Sequence, residues 1–379
     1  MLHERFAFSS VMDTTSNHPA AARKSRWEEL QVNIPDSAAH WSSPVAGDGF
    51  ARSRIWQQPN LWLATLDRIS KTCAQLPLRP SFVQSRVLLT GAGTSAYAAA
   101  AIAFAWPKAT TASASDILFE TERYIHGIDV VISIVQSGNG PESVAVSERI
   151  HQIRPKIAQW EISCSPEESV VHSPFVHSII LDPGSADRDL AIANSFSCLV
   201  LAGIFLIDPT GVRSAVQKAR VEVRAKLDAI DQAMRTVAQM ARHRIVLLAS
   251  SPLFSWAQMG AEKITETTAG KFPAIAETYL RLRHGSMSFL EPDTMYFCLL
   301  SSEPSRRRYE RNLIRELRAR HLGYWVGISA TAERTELFDA TIPAILPAND
   351  DVSRAPFEII APQLLGYHLS LRAKLDPDS

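Results

Sequence analysis

The sequence predicts an α/β protein with parallel sheets, and three observations lead there. An apolar run, RVLLT (86–90), ends in a small hydroxyl-bearing turn, GAGTS, and passes straight into Ala-rich sequence. The same order returns about 40 residues later, where IDVVISIV (128–135) is followed by QSGNG (136–140) and by Pro141 at a first-turn helical position. A second series of strand and helix patterns then repeats the first at a nearly constant offset, the mark of a duplicated unit.

Taken in chain order, the first 50 residues are rich in Ser, Ala and Pro with little periodicity and predict an irregular arm. PNLWLATLDRISKTCAQ (59–75) predicts an amphipathic helix leading into the first sheet. Strands are predicted at 86–90, 110–113, 129–135, 156–163 and 177–181. SFSCLVLAGIFLID (195–208) is too short and too interrupted to span a bilayer and predicts a buried helix instead. Val216, Val223, Ile230 and Val237 stand at heptad spacing in a long helix over 212–242. The second strand series falls at 244–249, 273–276, 293–300, 324–329 and 341–346. The organisation expected is an arm at 1–50, a first domain at 51–211, a connecting helix at 212–242 and a second domain at 243–379.

Bulk properties narrow the function classes. With 379 residues, 46% of them hydrophobic, the chain can bury roughly two cores of about 150 residues. Its formal net charge of zero offers no broad footprint for nucleic acid or an anionic membrane. The four cysteines, Cys73, Cys164, Cys198 and Cys298, lie far apart without zinc spacing, which predicts reduced thiols and a cytoplasmic protein. The N-terminal MLHERFAFSS lacks the apolar core of a signal peptide. His172 and His177 show no ligand spacing, so neither a metal nor another cofactor is expected.

The two strand-to-helix turns carry the chemistry. Free N–H groups and the positive end of a helix dipole make such turns anion sites, and two of them converge at the carboxyl ends of neighbouring parallel strands. That points to a phosphorylated small molecule. On the residues alone, Thr94 and Ser95 also fit simple helix caps, Glu266 a solvated helix position, and His284 before Gly285 a loop or C-terminal cap. SRRRYER (305–311) reads as a solvated helix face. GAGTSA also satisfies the loose dinucleotide pattern, with Asp116 about 25 residues after Gly91, but that reading leaves QSGNG and the duplication without a role. Lys271 lacks the upstream spacing of a P-loop.

GAGTSA, QSGNGPES (136–143), NSFSC at Asn194 and the block EKITETTAGKFPAIAETYLRLRHGSMSF (262–289) resemble the double-SIS (sugar isomerase) proteins, and LSSEPSRRRYERNLIREL (300–317) agrees. The subgroup most resembled is that of tagatose-6-phosphate ketose/aldose isomerase and galactosamine-6-phosphate deaminase. The isomerase domain of glucosamine-6-phosphate synthase is also similar. The resemblance implies two tandem flavodoxin-like SIS domains, each a five-stranded parallel sheet flanked by helices. It also implies a homodimer or larger homo-oligomer acting on a ketose- or amino-hexose 6-phosphate by proton transfer between carbons 1 and 2.

Carried over, the resemblance gives a phosphate site of Gly93, Thr94, Ser95, Gln136, Ser137, Gly138 and Asn139. It makes Glu266 the proton shuttle between the two carbons and His284 the group that assists ring opening. Both reactions pass through an enediol or enolamine, so one partly buried carboxylate must take a proton and return it to the neighbouring carbon. An imidazole suits the ring-oxygen proton because it titrates near neutrality.

Several positions depart from the family pattern. Val135 and Gly140 stand where hydroxyl residues are usual, Ser286-Met287 replaces Pro-Lys, and the tail after Lys374 is short. The alternative in a different class is a non-catalytic sugar-phosphate-binding sensor or regulatory protein.

Overall fold

The computed structural model describes residues 50–75, 82–136, 140–165, 173–187, 194–285, 287, 290–329, 337–346 and 350–377. The N-terminal arm and the expected phosphate ligands Ser137, Gly138 and Asn139 lie outside the described residues.

The first half opens with α1 (Phe50–Gln75) and continues through β1 (Val87–Gly91), α2 (Thr94–Ala103), β2 (Ala109–Ser113), α3 (Ala114–Phe119), α4 (Thr121–Ile125), β3 (Val130–Val135), α5 (Pro141–Ile153), β4 (Ala158–Ser163) and β5 (Val176–Ile180). Two helices follow, α6 (Ser195–Phe205) and the long α7 (Pro209–Met240). The second half runs through β6 (Arg244–Leu248), α8 (Phe254–Thr267), β7 (Ala274–Glu277), α9 (Tyr279–His284), β8 (Thr294–Leu299), α10 (Pro304–Ala319), β9 (Tyr324–Ser329) and β10 (Ala340–Pro343). It ends with α11 (Asp351–Glu358) and α12 (Ile360–Arg372).

Each sheet has five parallel strands. Their orders, β2-β1-β3-β4-β5 and β7-β6-β8-β9-β10 read from the matching edge, are the same flavodoxin-like winding. The duplication and the α/β class expected from the strand offsets are therefore present. Parallel strands covered on both faces carry near-continuous apolar runs, which is why VLLTG, VVISIV and TMYFCL stood out.

Burial divides the sheets by alternation. Val87, Leu89 and Ile132 of the first sheet and Ile245, Leu247 and Phe297 of the second turn inward to one shared core. Leu88 and Val131 turn outward to a smaller cluster under α3, α4 and α5, and Val246, Tyr296 and Cys298 do the same on the far side of the second sheet. Every residue of α6 is buried, as its unbroken apolar run predicts. On α7 the four heptad positions are all buried. Among them sits Asp231, which accepts from Arg52 Nε at 2.7 Å and lies 2.6 Å from His368 Nε2, pinning α7 to α1 and α12.

Element ends differ from the sequence expectation where tertiary partners intervene. The first helix begins at Phe50 rather than 59, with Pro59 inside it, because Ala51, Ile55 and Gln58 extend the buried face. The strand expected over 341–346 ends at Pro343, since the N–H groups of Ile345 and Leu346 turn to the buried Glu358 carboxylate at 3.0 and 3.4 Å. The strand expected from 156 starts at Ala158, after a turn closed by Ile157 N–H to Arg154 C=O at 3.0 Å. Among the described residues no helix is long and apolar enough to cross a membrane.

One polar row crosses the outer face of the first sheet: Thr90, Ser133, Glu161 and Ser178 are in register. Burial pushes the Glu161 carboxyl up to about 7, and its Oε1 has no hydrogen-bond partner among the described residues. The folded chain therefore favours the neutral acid. That costs nothing below the unfolded value of about 4.3 and increasingly more as pH rises to about 7, approaching roughly 3 kcal/mol. Glu161→Gln is expected to raise Tm at pH 8 and leave it unchanged at pH 4. An equal shift at both pH values in thermal melts would show that ionisation is not the cause.

Candidate functional site

The strand order of the first sheet reverses between β1 and β3, which opens a crevice at their carboxyl ends. Gly91 ends β1 so close to α2 that a Cβ there would stand 2.6 Å from the Ser95 carbonyl carbon. Gly93, at φ 54, turns the chain into the helix in a conformation that favours glycine. Gly93 is also the N-cap and offers no side-chain oxygen, so Thr94 and Ser95 are first-turn residues rather than caps. The Ser95 and Ala96 amides bond to the carbonyls of Ala92 and Gly93 at 3.1 and 3.0 Å. Thr94 is half-buried and Ser95 buried, while Ala92 and Gly93 are exposed at the crevice mouth.

On the β3 side, Gln136 is half-buried and its carbonyl accepts from Ser165 Oγ at 3.3 Å. Gly140 is the N-cap of α5 and Pro141 its first residue, again without a side-chain cap. Two helices thus face one crevice with glycine N-caps. Elsewhere Ser113, Asp208, Thr278, Glu303 and Asp350 cap their helices with side chains. Val135 is buried in the strand and offers no hydroxyl to the crevice.

The second half meets the first beside this turn, because α8 packs against α2 across the shared core. Tyr97, two residues beyond Ser95, directs its hydroxyl to Glu262 of α8. Burial first, then the hydrogen bond to Glu262 and the charges of Glu262 and Glu266, push the Tyr97 phenol up to about 12. Glu266 lies in the last turn of the same helix, half-buried, and pairs with Lys263. The Lys263 side chain is only 2% exposed, so its charge is available to little besides this carboxylate. The helix is closed by the Thr268–Gly270 turn, in which Ala269 and Gly270 both take positive φ and the Ala269 amide bonds to the Glu266 carbonyl at 2.9 Å. A carboxylate fixed this way can accept a proton without moving the backbone.

The structure brings together Gly93, Thr94, Ser95 and the helix that bears Glu266. It does not bring His284 into that group. His284 is exposed at the end of α9, which packs against α10 and is tied to it by Arg283 to Glu316 at 2.7 Å. Met287 packs against the outer apolar cluster of the second sheet, which explains an apolar residue there. Lys271 donates to the Ala373 carbonyl at 3.1 Å and has no part in a phosphate loop. Sequence reasoning missed Tyr97, Glu262 and Lys263. The i, i+3 spacing of Lys263 and Glu266 was a legible signal, whereas Tyr97 meets its partner only through packing of the two halves.

The dinucleotide alternative does not fit the architecture, since the strand order here is not the 3-2-1-4-5-6 winding of the Rossmann fold. Asp116 sits inside the first turn of α3 with its amide bound to Ser113 Oγ at 3.1 Å.

Comparison with known proteins follows the same lines. No family model matches the chain. A relative from Streptomyces coelicolor is 29% identical over 368 residues, covering 91% of this chain and 92% of its own length. The D-galactosamine-6-phosphate deaminase AgaS of Shewanella sp. is 28% identical, with 88% of each chain covered. Among solved structures, tagatose-6-phosphate ketose/aldose isomerase from Escherichia coli aligns with a TM-score of 0.77 at 24% identity, over 89% of this chain and 97% of that one. The C-terminal domain of glucosamine-fructose-6-phosphate aminotransferase from Francisella tularensis gives 0.71 at 18% identity, over 87% and 97%. The resemblance to double-SIS proteins thus extends over about nine-tenths of the chain and over both sheets.

Proposed function

We propose that this chain is a sugar-phosphate isomerase or amino-sugar-phosphate deaminase acting on a ketose- or amino-hexose 6-phosphate. The observation that carries the reading is the meeting of two things contributed by different halves: a crevice with two glycine-capped helix N-termini, and a carboxylate, Glu266, held beside it on α8. The first suits a phosphate, because the positive ends of two helix dipoles without side-chain caps favour a dianion. The second suits the far end of the same substrate, where a carbon-bound proton must be taken and returned. The deaminase relatives and the isomerase fold neighbours support the same reaction class.

In this reading Gly93, Thr94, Ser95, Gln136, Ser137, Gly138 and Asn139 hold the phosphate. Glu266 removes the proton from one of carbons 1 and 2 and delivers it to the other, with Lys263 fixing the carboxylate. The enediol or enolamine forms as that proton leaves; in the deaminase case reprotonation at carbon 1 leaves an iminium at carbon 2, which adds water and releases ammonia to give the ketone. Incubation with hexose and amino-hexose 6-phosphates in deuterated water, followed by NMR, is the direct test. Deuterium at carbon 1 or 2 is expected, and its absence with every hexose phosphate would refute the enzyme reading. Changing Ser95 and Ser137 together to Ala is expected to weaken sugar-phosphate binding by about a hundredfold, at roughly 1.5 kcal/mol for each of two charged hydrogen bonds, with little loss of Tm. Unchanged affinity in calorimetry would move the phosphate elsewhere.

His284 then acts on the ring oxygen from a neighbouring subunit of a homodimer or larger assembly. Its exposure supports this, as do exposed Leu280 on the same helix and Tyr309 on α10. Sedimentation is expected to give a dimer or larger species, and a monomer at assay concentration would leave His284 without a site. The four free thiols suit a cytoplasmic location.

A further inference from the structure

The second sheet has the same winding as the first, so it has its own crevice where the order reverses, between β6 and β8. The loops at the two crevices correspond. In the first half Gly140 caps α5 and Pro141 follows; in the second Glu303 caps α10 and Pro304 follows. Where the first half has a glycine, the second has a carboxylate.

That difference extends through the loop. Ser301 N–H is taken by Glu310 at 2.8 Å and Ser302 N–H by Asp351 at 2.7 Å. Ser305 and Arg306 N–H groups are taken by Glu303 at 2.9 and 2.7 Å. Asp351 also accepts from the hydroxyls of Ser301 and Ser302 and from Arg306 at 3.0 Å and Arg354 at 3.1 Å. Arg354 is fully buried: its Nε faces Glu358 Oε1 at 3.6 Å, one terminal nitrogen also donates to the Leu300 carbonyl at 2.9 Å, and the other has no hydrogen-bond partner among the described residues. Two hydroxyls, a loop amide and two guanidinium groups around one carboxylate form the donor set that a bound phosphate or carboxylate would receive. Burial opposes ionisation of Asp351, yet the hydrogen bonds from Ser301 and Ser302 and the Arg354 charge hold its carboxyl below the ordinary value.

We infer that the second crevice is an anion site closed by the chain itself, with the Asp351 carboxylate standing where a ligand anion would bind, so that each chain takes one phosphate ligand in its first half and none in its second. Asp351 arrives from α11, beyond the last strand, and locks α11 and α10 onto the β8 loop. An oxyanion of similar size is the class of ligand that its removal admits.

Inorganic phosphate is the probe. Asp351→Ala is expected to lower Tm in chloride and to recover it saturably with phosphate at matched ionic strength, a response beyond any that wild type shows. Calorimetry is expected to count one more phosphate per chain in the variant than in wild type. Should Asp351→Ala fail to fold in chloride, refolding it in phosphate at matched ionic strength carries the test: phosphate is expected to restore the native circular dichroism saturably, and no recovery would overturn the inference. Equal phosphate responses in wild type and the folded variant would also overturn it, as would two phosphates per wild-type chain. Loss of the first-half site would lower all the counts alike and leave the difference between variant and wild type intact.

Discussion

Glu266→Gln is expected to bind sugar phosphate as the wild type does while exchange at carbons 1 and 2 falls by roughly 10² to 10⁴, the range that general-base catalysis supplies. The amide keeps the shape of the side chain and can still lie beside Lys263, but it cannot accept the carbon-bound proton. Binding should survive because the phosphate loops belong to the first half, on α2 and α5, and Glu266 to α8. Single-turnover exchange in deuterated water, together with calorimetry, separates the two. Retained exchange would remove Glu266 from the chemistry, and lost affinity would make it a binding residue. His284→Asn is expected to differ in kind, slowing ring-closed substrate more than an open-chain analogue.

The largest expected stability effect lies between the sheets. Trp62 on α1 is fully buried, with its ring edge-on to Phe357 of α11 at 4.8 Å and its Nε1 donating to Ser197 Oγ of α6 at 3.0 Å. Ser197 passes the chain on to Gln58 at 3.0 Å, and Gln58 to Gln363 of α12 at 2.7 Å. Trp62→Ala removes the ring and strands a buried hydroxyl, which costs about 3–5 kcal/mol for the cavity and roughly 1 kcal/mol more for the broken hydrogen bond. Because Trp62 belongs to the core that both sheets share, a single lowered transition is expected in calorimetry. Two separated transitions would show that the halves unfold independently and that Trp62 serves only one of them.

The same core explains how one site draws on both halves. Strands of a doubly wound sheet place their ligand loops at carboxyl ends, while a helix returning from such an end finishes at the opposite, amino-terminal side. Glu266 is at the far end of α8, away from the crevice of its own sheet, so in the proposed reading it serves the crevice of the first. The crevice of its own sheet is lined instead by Asp351, Glu303 and Glu310. Duplication of the fold has therefore not produced two copies of the site.

The sequence by itself determined the class, the duplication and the phosphate-loop candidates, because these rest on local properties. Strands buried on both faces must be apolar along their length, a tight strand-to-helix turn needs small residues, and a repeated unit repeats its spacing. The resemblance carried by EKITETTAGK and its neighbours added Glu266 and His284 as candidates. Only the tertiary structure decided which helices face one another across the shared core. It put Tyr97 against Glu262, buried Lys263 beside Glu266, left His284 exposed, and turned the backbone at Ile345 and Leu346 to Glu358 instead of a strand partner. It also closed the second crevice with Asp351, which lies 49 residues beyond the Ser302 amide that it accepts from. Contacts across such distances leave no periodicity in the chain, since burial and charge pairing are properties of surfaces brought together by folding and not of neighbouring residues.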